Sequence, residues 1–194
     1  MGNKFKRVPV DVPISDLSPL QITCSSTKCE DGLHCFKTGV RAAKKFGSHG
    51  VCKECGTSLI DWKRVHQNDI NDVNFIFNSM KNELIRHVYW HTPIENSALV
   101  LASKSKNDEL RIHAKKVLKS KIGSRQNAWD GRQTPKTGNE IVNYAQHATA
   151  TCCRKCLEYW HNIKKEEELT EEQLEFCTEL VMLYIEERVP SLKD

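Results

Sequence analysis

The chain has 194 residues, of which 39% are hydrophobic and 28% charged, with a net charge of +4 and a pI near 8.5. That length suits one ordinary domain or two small ones, and the modest apolar share leaves a core that metal cross-links would help. No stretch nears the roughly 18 apolar residues of a membrane span, so no membrane partner is expected, while mild basicity permits a nucleic-acid partner without demanding one.

The first residues, MGNKFKRVPVDVP, carry charge but no apolar run, so no secretory signal is expected. The Met-Gly start falls short of a myristoylation motif, because Lys6 stands where Ser or Thr is wanted. Residues 1–20 read as an extended arm and the chain as cytoplasmic. In that reducing setting, nine cysteines, eight of them in two clusters and Cys177 apart, point to metal rather than disulfides.

Residues 21–66 read as a zinc-ribbon-like module. Gly32, Gly39, Gly47, Gly50 and Gly56 are turn signals, HGVC and SLIDW suggest short strands, and VRAAKKF a short helix. Cys24, Cys29 and Cys35 precede the Cys52-x2-Cys55-Gly56 turn, whose two thiolates can be aimed at one ion, with glycine supplying positive φ. The expected zinc ligands are Cys24, Cys29, Cys52 and Cys55; Cys35 is nearly as good, and His34 is an outside option. Lys44, Lys45, Lys53, Lys63 and Arg64 motivate a nucleic-acid role, although a lysine run is usually a solvated face.

From Asn68 the apolar residues Ile70, Val73, Phe77, Met80, Leu84 and Val88 recur at helical spacing, predicting one helix of about six turns that ends before Pro93. Glu83, His87 and His91 share a stripe of it, but not in the HExxH order of a metalloprotease, and the histidines read as packing beside Trp90. A helix is predicted near Glu95 to Ser103. Another starts at Asn107 or Asp108 and stops at Gly123. After the polar loop GSRQNAWDGRQTPKTGN, helix resumes near Asn139. The last helix opens on a Thr170–Gln173 capping box, buries Leu174, Cys177, Val181 and Tyr184, and ends at Pro190.

The stretch AQHATATCCRKCLEYWH is the second dense site. On a helix, Cys153, Cys156 and Trp160 share a face and Cys152 reaches Cys156. Cys153 and Cys156 are expected to bind metal together with His147 or His161, Cys152 being an alternative ligand. An iron–sulfur cluster using Cys177 as a further thiolate is a minor alternative, and a cysteine nucleophile activated by His147 or His113 is another. The zinc-deaminase signature is absent, since no glutamate follows His147 at the required spacing.

DGRQTP, AQHATATCCRKCLEYWH and LTEEQ together resemble a small bacterial and phage-encoded family known only as a domain of unknown function. The resemblance covers roughly residues 108–190. It brings in His113 and Ala114 and, in the loop, Asp130, Gly131, Gln133, Thr134 and Pro135, and it implies no activity. The chain departs from the family pattern at Asn139, where histidine is commoner, and at NIKKEEEL, where a turn is. Residues 1–100 are expected to lie outside it.

The sequence thus predicts a mainly α protein: an arm, a small ribbon of short strands, and a helical domain over 67–194. The leading function is a zinc-binding protein, with two Zn2+ ions, that handles DNA or RNA, of the kind carried by phages, mobile elements or defence loci. The alternatives are a zinc-dependent hydrolase or nuclease using His113, Asp130 and His147, and a protein-interaction module with structural zinc only.

Overall fold

A computed structural model describes residues 12–37, 40–126, 128–129 and 133–189. The described residues are mainly helical, with nine α-helices. No sheet forms among them: strand-like pairing is limited to isolated bridges between Lys28 and Leu33 and between His34 and Glu83. HGVC and SLIDW therefore do not make the expected ribbon. Their backbone groups close local turns instead, with Gly56 N–H donating to Cys52 O at 2.9 Å and Cys52 N–H to Thr57 O at 2.8 Å. Two short helices, α1 (Val40–Phe46) and α2 (Trp62–Val65), complete this region, and Asp61 caps α2 by accepting from Arg64 N–H at 3.1 Å.

The predicted six-turn helix is in fact two, α3 (Val73–Met80) and α4 (Leu84–His91), after a 3-10 turn at Ile70–Asp72. The break has a tertiary cause. His34 N–H donates to Asn82 O and Leu84 N–H to His34 O, both at 2.9 Å, so the N-terminal region draws the backbone of residues 82–84 out of helical pairing. Helices α5 (Asn96–Lys104) and α6 (Asn107–Leu118) follow, and a π turn at Lys119–Gly123 ends the latter.

The predicted helix across the second motif is also split. Helix α7 (Ile141–Ala148) stops where Ala150 takes φ +58°, and α8 (Arg154–His161) begins with Cys153 as its N-cap. Gln146 secures the corner: its O accepts from Thr151 N–H and its Nε2 donates to Thr151 O, each at 2.9 Å. Every residue of α7 is buried.

Helix α9 (Glu171–Arg188) opens on the predicted Thr170–Gln173 capping box and buries Leu174, Cys177, Val181 and Tyr184 as expected. It packs on α3, α6 and α7, while α4 packs on α7. Its Arg188 donates to the carbonyls of Tyr89, Trp90 and Thr92, covering the C-terminal end of α4. Along the outer face, Arg111 pairs with Glu175 and Glu179, Lys115 with Glu171 and Glu175, and Lys119 with Glu171. Among the described residues no helix is long and apolar enough to cross a membrane.

Candidate metal centre and the pocket beside it

Among the described residues, two groups of side chains could hold a metal ion. The first is Cys29, His34, Cys52 and Cys55, whose donor atoms all lie within 4.8 Å of one another. The 3-10 turn Cys29–Asp31, closed by Gly32 in a left-handed conformation, presents Cys29. The Cys52–Gly56 turn presents the other two thiols. Gly56 is required there, because it has φ +79° and an added Cβ would lie 2.6 Å from the Phe46 ring. The Cys29 and Cys52 sulfurs are 3.7 Å apart, and Cys55 Sγ is 3.5 Å from His34 Nδ1. Burial, with hydrogen bonds from Cys55 and Cys52, pushes the Cys29 thiol up to about 12. At Cys55 burial opposes ionisation, yet hydrogen bonds with Thr57 bring the thiol down to about 7.

Two expected or alternative ligands of this centre stand elsewhere. Cys35 points away and donates to Cys24 O at 3.2 Å, with burial pushing its thiol up to about 12. Interaction with the Cys156 thiol, with Arg86, Lys37 and Lys136 nearby, brings the Cys24 thiol down to about 5 against the effect of burial.

The second group is Cys152, Cys153 and Cys156, all buried, at the corner before α8 and on its first turn. The expected histidine ligands are not in it. The buried His147 ring stacks on Tyr89 with centroids 4.5 Å apart, and its Nε2 meets Thr134 O at 3.1 Å and Pro135 O at 3.2 Å. The His161 Nε2 meets Thr149 O at 3.0 Å. Cys177 lies in the α9 core, in neither group. His113 is half-exposed, with Nε2 2.7 Å from Glu140 Oε2. Asp130, its proposed catalytic companion, lies outside the described residues, as does Gly131. Thr134 of the same loop is buried and donates to Cys152 O at 2.7 Å.

Sequence reasoning missed a buried ion pair beside the second group. Arg86 and Glu83 are each about 1% exposed and meet at 3.1 Å. Arg86 also donates to His147 O and, at 3.6 Å, to Cys156 Sγ. Glu83 accepts from Trp160 Nε1 at 2.7 Å and Tyr159 OH at 3.2 Å. Burial raises its carboxyl, against the pull of Arg86, Trp160 and Tyr159. An ionic i,i+3 pair on an apolar stripe gives no sign in sequence that both members are buried.

Also missed was a pocket of about 270 Å³ lined by Phe36, His49, Gly50, Trp62, His66 and Tyr159. It lies where the first metal group meets α8. Trp62 forms its centre, 5.2 Å from the His66 ring, 5.9 Å from Tyr159 and 6.3 Å from Phe36. Its Nε1 donates to Gly50 O at 2.7 Å, and Gly50 has φ +76° with no room for a Cβ, which would fall 2.2 Å from that nitrogen.

Burial brings His147 and His161 down to about 4. The unfolded chain takes up those protons near pH 6.5 and the folded chain only near 4, so proton uptake favours unfolding as pH falls between the two. Stability present above about pH 6.5 is thus lost toward pH 4, each histidine contributing up to about 1.4 kcal/mol per pH unit. Denaturant titrations of zinc-replete protein should show His161→Gln with a shallower decline by about that amount; an equal slope would show that His161 does not titrate on unfolding.

The family model for a domain of unknown function, DUF4186, matches residues 74–186. The match begins well before residue 108, so α3, α4 and α5 belong to the family domain rather than to an added region. The buried Glu83–Arg86 pair and the three clustered thiols fall inside it, the first metal group outside it. No solved structure matches the chain. With more than half of its residues under that model, the chain belongs to the DUF4186 family.

Proposed function

We propose that the protein binds zinc and uses the zinc-held region to grip single-stranded nucleic acid. The observation that carries this reading is the aromatic pocket at the edge of the first metal group. Flat side chains offer stacking surfaces to an unstacked base, worth about 1–3 kcal/mol per base. The charge distribution agrees. Residues 21–66 hold eight Lys and Arg against four Asp and Glu, an excess of four that equals the whole chain's net charge. On the helical domain Lys115 is tied to Glu171 and Glu175, so that face is of mixed sign.

Zinc is the ion that suits the first group. With Zn–S near 2.3 Å and Zn–N near 2.0–2.1 Å, tetrahedral coordination needs sulfurs about 3.8 Å apart and S···N about 3.6 Å. The observed 3.7 and 3.5 Å are close to both. Four protein donors fill such an ion's coordination and leave no position for a reacting water, which supports a structural role over hydrolysis. His113 pairs with Glu140 on the surface while His147 is buried against the Thr134 carbonyl, which weighs against the catalytic alternative.

Tryptophan fluorescence should be quenched saturably by short single-stranded DNA or RNA of mixed sequence. Affinity should fall about tenfold between about 50 and 200 mM salt, as phosphate contacts by three or so basic residues would give. Tyr159→Ala should weaken binding about tenfold by removing one stacking face. Absence of binding to any single strand at low salt would overturn the reading and leave a protein-interaction module.

A further inference from the structure

We propose that Cys24, Cys152, Cys153 and Cys156 form a second, tetrathiolate site for a thiophilic divalent cation such as Zn2+, closed by the N-terminal segment. This site fastens residues preceding the first metal group to the family domain, and it stands apart from the nucleic-acid reading. Three of its donors already lie within 4.8 Å of one another, at one corner of the chain. Thiolates this close suit one ion; ligands of a cubane iron–sulfur cluster sit on separate irons, further apart. The fourth donor comes from far away in sequence: the Cys24 thiol lies outside that 4.8 Å trio but close enough to interact with Cys156, and it approaches from that side.

The approach of Cys24 is built into the fold. Lys136, in the loop before α7, donates to Pro19 O at 2.6 Å and Ile22 O at 3.3 Å, pinning the segment just ahead of Cys24. Ile22 is fully buried, and Cys35 holds the Cys24 carbonyl from the other side. Charge fits as well. A divalent ion with four thiolates carries a net charge of −2, and Arg86 donates directly to Cys156 Sγ, with Lys37 and Lys136 near Cys24. Such a donor steadies a metal-bound thiolate. Cys153, as N-cap of α8, also sits where the helix dipole favours a thiolate.

The test uses full-length protein purified under reducing conditions. Wild type is expected to carry two zinc ions per chain, and X-ray absorption to report a mean of about 3.5 sulfurs per zinc, the average of a three-thiolate and a four-thiolate site. Cys24→Ser should retain one ion. In wild type, Cys24 should resist alkylation until a chelator is added, a readout that survives if the variant fails to fold. One ion in wild type, about three sulfurs per zinc, two ions kept by Cys24→Ser, or prompt alkylation of Cys24 would each overturn the proposal.

Discussion

Replacing Cys52 by serine is expected to remove one zinc ion per chain and unfold the region around residues 24–66. Cys52 is fully buried and its sulfur lies 3.7 Å from that of Cys29. Binding of a structural zinc is worth about 10–16 kcal/mol at neutral pH, as large as the whole stability of an ordinary domain. A region whose strand-like pairing is two isolated bridges draws little stability from sheet pairing. The loss should spread to the family domain through two contacts. His34 pairs with the backbone of residues 82–84, and Phe36 and Trp62 cover Trp160 at 6.3 and 5.1 Å. Hydrogen exchange should show lost protection in residues 24–66 and in the turn between α3 and α4, with α9 still protected. His34→Ala should behave like Cys52→Ser, whereas His34→Cys should keep the ion, since four thiolates also make a closed zinc site. Full zinc content and unchanged protection in Cys52→Ser would remove the first metal centre.

What the sequence could and could not reveal about this centre turns on neighbouring residues 34 and 35. The Cys52-x2-Cys55-Gly56 turn is a local device, legible from spacing alone. The choice between His34 and Cys35 is not, because successive residues of an extended segment face opposite sides. The Lys28–Leu33 and His34–Glu83 bridges fix which side meets the ion, and nothing in the spacing encodes them. The same bridge explains the helix that was read too long: the periodicity from Val73 to Val88 is real, but its interruption is imposed by a residue nearly fifty positions upstream. Capping at Thr170 depends on residues three apart and was fully legible. The approach of Cys24 to Cys156 depends on the whole fold and left no trace in either local pattern.

Glu83 is the residue through which these parts are joined, and its removal is the second large effect expected. The backbone on either side of it, Asn82 O and Leu84 N–H, pairs with His34 beside the first metal group, and its carboxylate holds Tyr159, which lines the pocket, and Trp160. Arg86 then links it to Cys156 and to the end of α7. Glu83→Leu leaves a buried guanidinium without its counter-charge and two ring donors without an acceptor. A loss of about 3–5 kcal/mol is expected in denaturant titrations at neutral pH. Arg86→Met should cost a similar amount by stranding the carboxylate and the His147 carbonyl. The double variant should cost less than the sum of the two by about 2 kcal/mol or more, because neither member of the pair is then left facing a missing partner. Tyr159 would also lose its orienting acceptor, so Glu83→Gln, which keeps one carbonyl oxygen, should preserve more oligonucleotide affinity than Glu83→Leu. Additive losses in the double variant would mean that Glu83 and Arg86 act on stability separately, and the link between the first metal group and the thiols beside α8 would have to run through other residues.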